Sequence, residues 1–138
     1  MTAEAETSLF AELGGEPALR RIIDTFVDRV FDDIMIGFLF QRANRERIKE
    51  KEFEFAAEFL GAPVEYSGRS LEDAHRRHRI FDGQFQRRLT ILRNTLDELS
   101  APARVRDALL AHTVSLRARV VAGDCDEPVA AIPGSRPE

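Results

Sequence analysis

LEDAHRRHRIFDGQF, residues 71–85, is the stretch on which the reading of this chain turns. It holds two of the three histidines, His75 and His78, in a run dense with arginine, and Leu71 stands one helical turn before His75. Taken alone, His75 is open to two readings: a solvated surface residue, the commoner fate of a lone histidine, or a ligand. No HExxH and no Cys/His constellation accompanies it, so zinc is unsupported, and GxSxG, Walker-type and GxGxxG loops are missing too. The single cysteine, Cys125, rules out an internal disulfide framework and a cysteine-based cluster. One imidazole does suffice for a metal that brings its own four equatorial ligands, as haem iron does.

Outward from this stretch, apolar residues recur at spacings of three and four almost throughout, without convincing strand alternation, so the chain reads as all-α. Leu9, Phe10 and Leu13 form a short first segment that Gly14-Gly15 interrupts. Pro17 then falls in the first turn of a helix carrying Leu19, Ile22, Ile23, Phe26 and Val30. Gly61, Ala62 and Pro63 end another helix, and Tyr66-Ser67-Gly68 continues an irregular link. Phe85, Leu89, Leu92, Leu96 and Leu99 share one helical face. Ser100 is expected to cap the last helix, with Pro102 in its opening turn and Val105, Leu109, Leu116 and Val120 on its apolar face. Short helices joined by glycine-rich elbows point to a non-bundle architecture.

The helix over 45–60 is unusual. Ile48, Glu52, Phe55 and Phe59, at spacings of four, three and four, place a carboxylate among phenylalanines. Alternatively the stripe is rotated, so that Phe53, Ala56 and Leu60 help to define the buried face and Glu52 sits at its rim.

The length of 138 residues suits one domain, expected over 8–122 with flexible ends at 1–7 and 123–138. The net charge of −4 and pI near 5.5 argue against non-specific nucleic-acid binding. With neither a secretory pattern at the N-terminus nor an apolar run of membrane-spanning length, the expectation is a cytoplasmic monomer.

Several elements in order, SLFAELGGEPALRRIIDTF, FLGAPVEYSGRSLEDAH, IFDGQF and ALLAHTVSLRARVV, resemble the truncated haemoglobins, most similarly group I, over roughly residues 8 to 121. The resemblance implies a two-over-two helical sandwich around haem b, with His75 as proximal iron ligand. It places Phe40 against the porphyrin and Phe26, Ile48, Phe55, Tyr66, Leu71, Ile80 and Phe85 at or near the pocket. Arg79 and Lys51 are expected to pair with the propionates, and His78 to sit near the haem edge. Three distal positions depart from the family's pattern. Val27 stands where group I commonly has tyrosine, Glu52 where it has glutamine, and Arg88 where it is apolar or aromatic. Two charged replacements at facing positions are more tolerable as an ion pair than singly.

The function implied is binding of oxygen, nitric oxide or carbon monoxide, for oxygen transport or storage or for nitric-oxide detoxification with an unknown reductase. Two alternatives stay open: a peroxidase-like haem enzyme using Glu52, and a haem-free globin scaffold serving as an interaction module.

Overall fold

A computed structural model describes residues 8–75 and 79–121. His78 and Cys125 lie outside the described residues. The first helix, α1 (Leu9–Leu13), is opened by Ser8, whose Oγ accepts from the Ala11 N–H at 3.0 Å. The glycine pair then turns the chain with φ of +123° at Gly14 and +76° at Gly15. A side chain at Gly14 would meet the Ala18 Cβ at 2.9 Å, so this turn requires glycine twice over.

The long helix α2 (Gly15–Asp32) buries Leu19, Ile22, Ile23, Phe26, Val27 and Val30 along one stripe. A single 3₁₀ turn (Gly37–Phe40) leads to α3 (Arg45–Leu60), capped by the Asn44 side chain and ended at Gly61 with φ +98°. There follow α4 (Leu71–His75), α5 (Asp82–Glu98), α6 (Ala103–Ser115) and α7 (Arg117–Val120).

Packing pairs α2 with α3 and α5 with α6, and α2 also lies against α5, which makes two layers of two helices. Each fully buried Leu, Ile or Phe in the shared core contributes about 1.5–3 kcal/mol. Ion pairs lace the edges. Arg45 bridges Asp28 at 3.0 Å and Asp32 at 3.1 Å between α2 and α3, exposed contacts of small individual value. Asp33 is different, because its carboxylate is buried. It accepts from Arg87 of α5 at 2.6 Å and from the backbone N–H groups of Met35 and Ile36, and these bonds hold it below the usual carboxylate range.

Three readings of the sequence need correction. Ser100 does not cap α6: it takes φ +60° and closes α5, with its N–H on Asp97 O and the Ala101 N–H on Leu96 O. The last carbonyls of α5 needed donors, and a left-handed residue supplies that geometry. Pro102, at φ −56° and ψ 141°, is therefore the N-cap residue of α6 and lies just before its opening turn. The final apolar run is also broken at Leu116 into α6 and α7.

On α3 the stripe is indeed rotated. Phe53, Ala57 and Leu60 are the buried residues, and Ile48, Glu52 and Phe55 turn toward a cavity instead. Among the described residues, no helix is long and apolar enough to cross a membrane.

Candidate functional site

The two layers do not close on each other completely. They leave a cavity of about 320 Å³ whose wall takes Phe26 from α2, Phe40 from the 3₁₀ turn, and Ile48, Lys51, Glu52 and Phe55 from α3. Tyr66 comes from the link after α3, Leu71 and His75 from α4, Ile80 from the approach to α5, and Phe85 and Arg88 from α5. Residues as far apart in the chain as Leu19 and Val120 thus meet around one largely apolar chamber.

His75 is the last residue of α4, and its Nδ1 lies 2.8 Å from the Leu71 carbonyl oxygen. A carbonyl only accepts, so Nδ1 is the protonated nitrogen, and in the neutral ring Nε2 carries the lone pair. That is the tautomer a metal ligand needs, with the ring oriented by its own helix. Glu72, the neighbour of Leu71, receives two bonds from Arg119 of α7 at 2.8 and 3.0 Å, which hold its carboxyl down at about 2. A parallel bridge between Ile80 and Val121 adds a second tie between these segments. Short as it is, α4 is fastened to α7 through Glu72.

Another part of the wall is charged. Arg88 Nη2 donates to Glu52 Oε2 at 3.0 Å, and the guanidinium carbon sits 4.8 Å from the centre of the Phe26 ring. Val27 does not reach the main cavity. It is buried and borders a small space of about 20 Å³ that Glu52 and Arg88 also line.

The rim carries cations and a hydrogen-bonded clasp. Lys51 Nζ donates to Ser67 Oγ at 2.7 Å, and Ser67 in turn donates from N and Oγ to Glu54 Oε1 at 2.9 and 2.8 Å. Tyr66 N–H donates to Glu58, its hydroxyl donates to Arg69 O, and its ring meets Phe55 edge-on at 5.2 Å. Burial raises the phenol above its ordinary range.

The Ser67 bonds hold Glu54 below the ordinary carboxylate range, with Lys51 helping. A depressed folded-state pKa contributes stability above the unfolded value, about 4.5, and loses it as pH falls through the folded one. Glu54→Ala is expected to cost about 1–2 kcal/mol at neutral pH. In denaturant titrations this deficit should shrink in acid; a deficit independent of pH would count against the clasp.

Sequence reasoning missed Arg47, Arg69, Gln84 and His112, all of which reach the cavity wall. Arg47 lies one turn before Lys51, and His112 falls between Leu109 and Leu116 on a helical stripe, so spacing carried both signals. His112 lies flat against Phe59 with ring centres 3.8 Å apart, and burial lowers its pKa. Arg79 is outside the wall, exposed, with its guanidinium 5.8 Å from the Phe81 ring centre.

Haem is a large apolar ring with two carboxylates and an iron that takes an axial imidazole. The phenylalanine and isoleucine lining, the rim cations Arg47, Lys51 and Arg69, and the tautomer of His75 fit each part. Among the described residues no cluster of three or more His, Cys, Asp or Glu offers an alternative metal cage.

Fold and cavity together define a globin of the short, two-over-two class. The family model for bacterial-like globins matches residues 8–122, and the chain belongs to that family, as a truncated haemoglobin most similar to group I. A group 1 truncated hemoglobin of Chlamydomonas moewusii is 32% identical over 111 residues, spanning 78% of this chain but only 65% of the algal protein's own length. The group 1 truncated hemoglobin GlbN of Mycolicibacterium paratuberculosis is 26% identical, covering 85% of this chain and 86% of the relative. The crystal structure of truncated hemoglobin from Tetrahymena pyriformis, Fe(III) form, superposes with a TM-score of 0.76 at 22% identity, over 84% of this chain and 99% of the other. Globins of this family bind haem b.

Proposed function

We propose that the chain holds haem b through His75 Nε2 and binds a diatomic gas, oxygen or nitric oxide, on the face toward Glu52 and Arg88. The observation that carries this reading is the bond from His75 Nδ1 to Leu71 O inside the cavity wall, which fixes both the tautomer and the ring orientation of the ligand. Haem, when bound, would supply an iron able to take a diatomic ligand.

The protein's residues do the rest. Phe26, Phe40, Ile48, Phe55 and Phe85 keep the chamber apolar and disfavour water. Arg88 offers a cationic hydrogen-bond donor, and Glu52 holds it in place at 3.0 Å. A cationic donor favours a ligand that gathers negative charge, as oxygen does and carbon monoxide scarcely does. This selectivity suits oxygen carriage or storage, and equally nitric-oxide detoxification, in which nitric oxide and oxygen yield nitrate with an electron returned by a reductase. Arg47, Lys51 and Arg69 would meet the haem carboxylates at the rim.

The test is the absorption spectrum of protein produced with ample haem, in ferric, dithionite-reduced and carbon-monoxide forms. One haem per chain and a histidine-type carbon-monoxide adduct are expected. Failure to take up stoichiometric haem would refute the reading and leave the interaction scaffold.

A further inference from the structure

Among the aromatic and aliphatic residues of the cavity wall stand two opposite charges in contact, Arg88 and Glu52. Their side chains are 29% and 33% exposed, so the pair is a modest one that can open at little cost. A single bond joins it, from Arg88 Nη2 to Glu52 Oε2, and the rest of the guanidinium fork has no hydrogen-bond partner among the described residues. We propose that Glu52 is a specificity-determining residue that acts as an anion filter: it occupies Arg88 as a built-in competitor, so that the cavity admits a neutral gas and turns away small inorganic anions.

The argument is one of charge. A lone guanidinium in a largely apolar wall attracts any small anion, because its N–H groups donate and low surrounding polarity strengthens the attraction. Such an anion would compete with a gas for the same space. With the Glu52 carboxylate 3.0 Å away, the guanidinium is already neutralised. An arriving anion must either break that bond or lie beside a like charge, and both penalties discriminate against it. A neutral diatomic gas meets neither. It needs one hydrogen bond, which an uncommitted N–H can give while Nη2 stays on Glu52. The pair therefore keeps the donor and cancels the charge. A glutamine at position 52 could still accept from Arg88 but would cancel nothing, so Glu52→Gln separates orientation of the donor from its neutralisation.

The inference rests on the haem-binding reading above, and fluoride is the probe. Haem-loaded ferric protein and its Glu52→Gln variant are titrated with sodium fluoride at neutral pH and fixed ionic strength, and binding is read from the visible spectrum. Fluoride should bind the variant about 10-fold more tightly, the effect of removing one nearby like charge. Carbon-monoxide affinity of the reduced form, the neutral control, should change by less than about 2-fold. In Glu52→Gln/Arg88→Leu the gain in fluoride affinity should vanish, because the cation that draws the anion is gone. Fluoride binding in Glu52→Gln that is unchanged or weaker overturns the filter, and so does a gain that survives in the double variant. Protein that takes up no haem sinks the earlier reading, whereas a haem-loaded variant with unaltered fluoride affinity sinks this one alone.

Discussion

His75→Gly is expected to lower haem affinity by on the order of 100-fold or more, equivalent to about 3 kcal/mol. The histidine-type carbon-monoxide spectrum should disappear with it. The ring is oriented within the cavity wall by Leu71 O, and no other described residue both lines that part of the wall and lies on α4 with an imidazole. The glycine variant also opens room for a free imidazole. Adding imidazole to the variant should therefore restore the five-coordinate reduced spectrum, which a purely structural role for His75 would not allow. An unchanged spectrum in His75→Gly would sink the proximal assignment and direct attention to His112, the other described histidine in the wall.

Arg88→Leu should have the second largest effect, on two observables at once. It removes the donor and leaves Glu52 as a lone carboxylate among Phe26, Ile48 and Phe55. Full burial of an orphaned charge costs several kcal/mol, but about a third of the Glu52 side chain is exposed, at 33%, so about 1–3 kcal/mol of lost stability is expected. Oxygen dissociation should accelerate by roughly 5–100-fold, the rate equivalent of a donor worth about 1–3 kcal/mol. Carbon-monoxide dissociation should change far less. Stopped-flow rates for the two gases check this, and equal acceleration of both would mean that Arg88 acts only by shaping the pocket. Glu52→Gln should be milder for stability, because the guanidinium keeps its face on the Phe26 ring.

Much of this was legible from residue spacing. The stripe from Leu19 to Val30, the Gly14-Gly15 turn and the end of α3 at Gly61 follow from periodicity and from backbone freedom that only local sequence determines. The facing of Glu52 and Arg88 rested on the family resemblance, which put both at distal positions, with the cost of either charge alone favouring a pair; the two bond at 3.0 Å. What escaped was tertiary. Ser100 looks like an N-cap in sequence, yet whether it serves the helix before or after depends on which set of orphan groups the chain reversal reaches first. The rotated stripe on α3 was legible as one of two alternatives, but with Ala56 where packing buries Ala57, because alanine contributes little to an apolar pattern. Arg69 enters the rim through the way the link after α3 folds back, clasped by Glu54 and Glu58, and no short-range spacing encodes that return.

The fastening of α4 has a thermodynamic corollary. Five residues make little more than one helical turn, far below the length at which a helix sustains itself in water. The described packing partner of α4 is α7, itself four residues long, joined to it through the Glu72–Arg119 bonds. Two elements too short to persist alone support each other, and α7 is tied further to the core by the ion pair of Arg117 with Asp82 of α5. Cofactor capture and ordering of these two short helices would then be linked equilibria, and haem loss is expected to loosen α4 and α7 before the four-helix core unfolds.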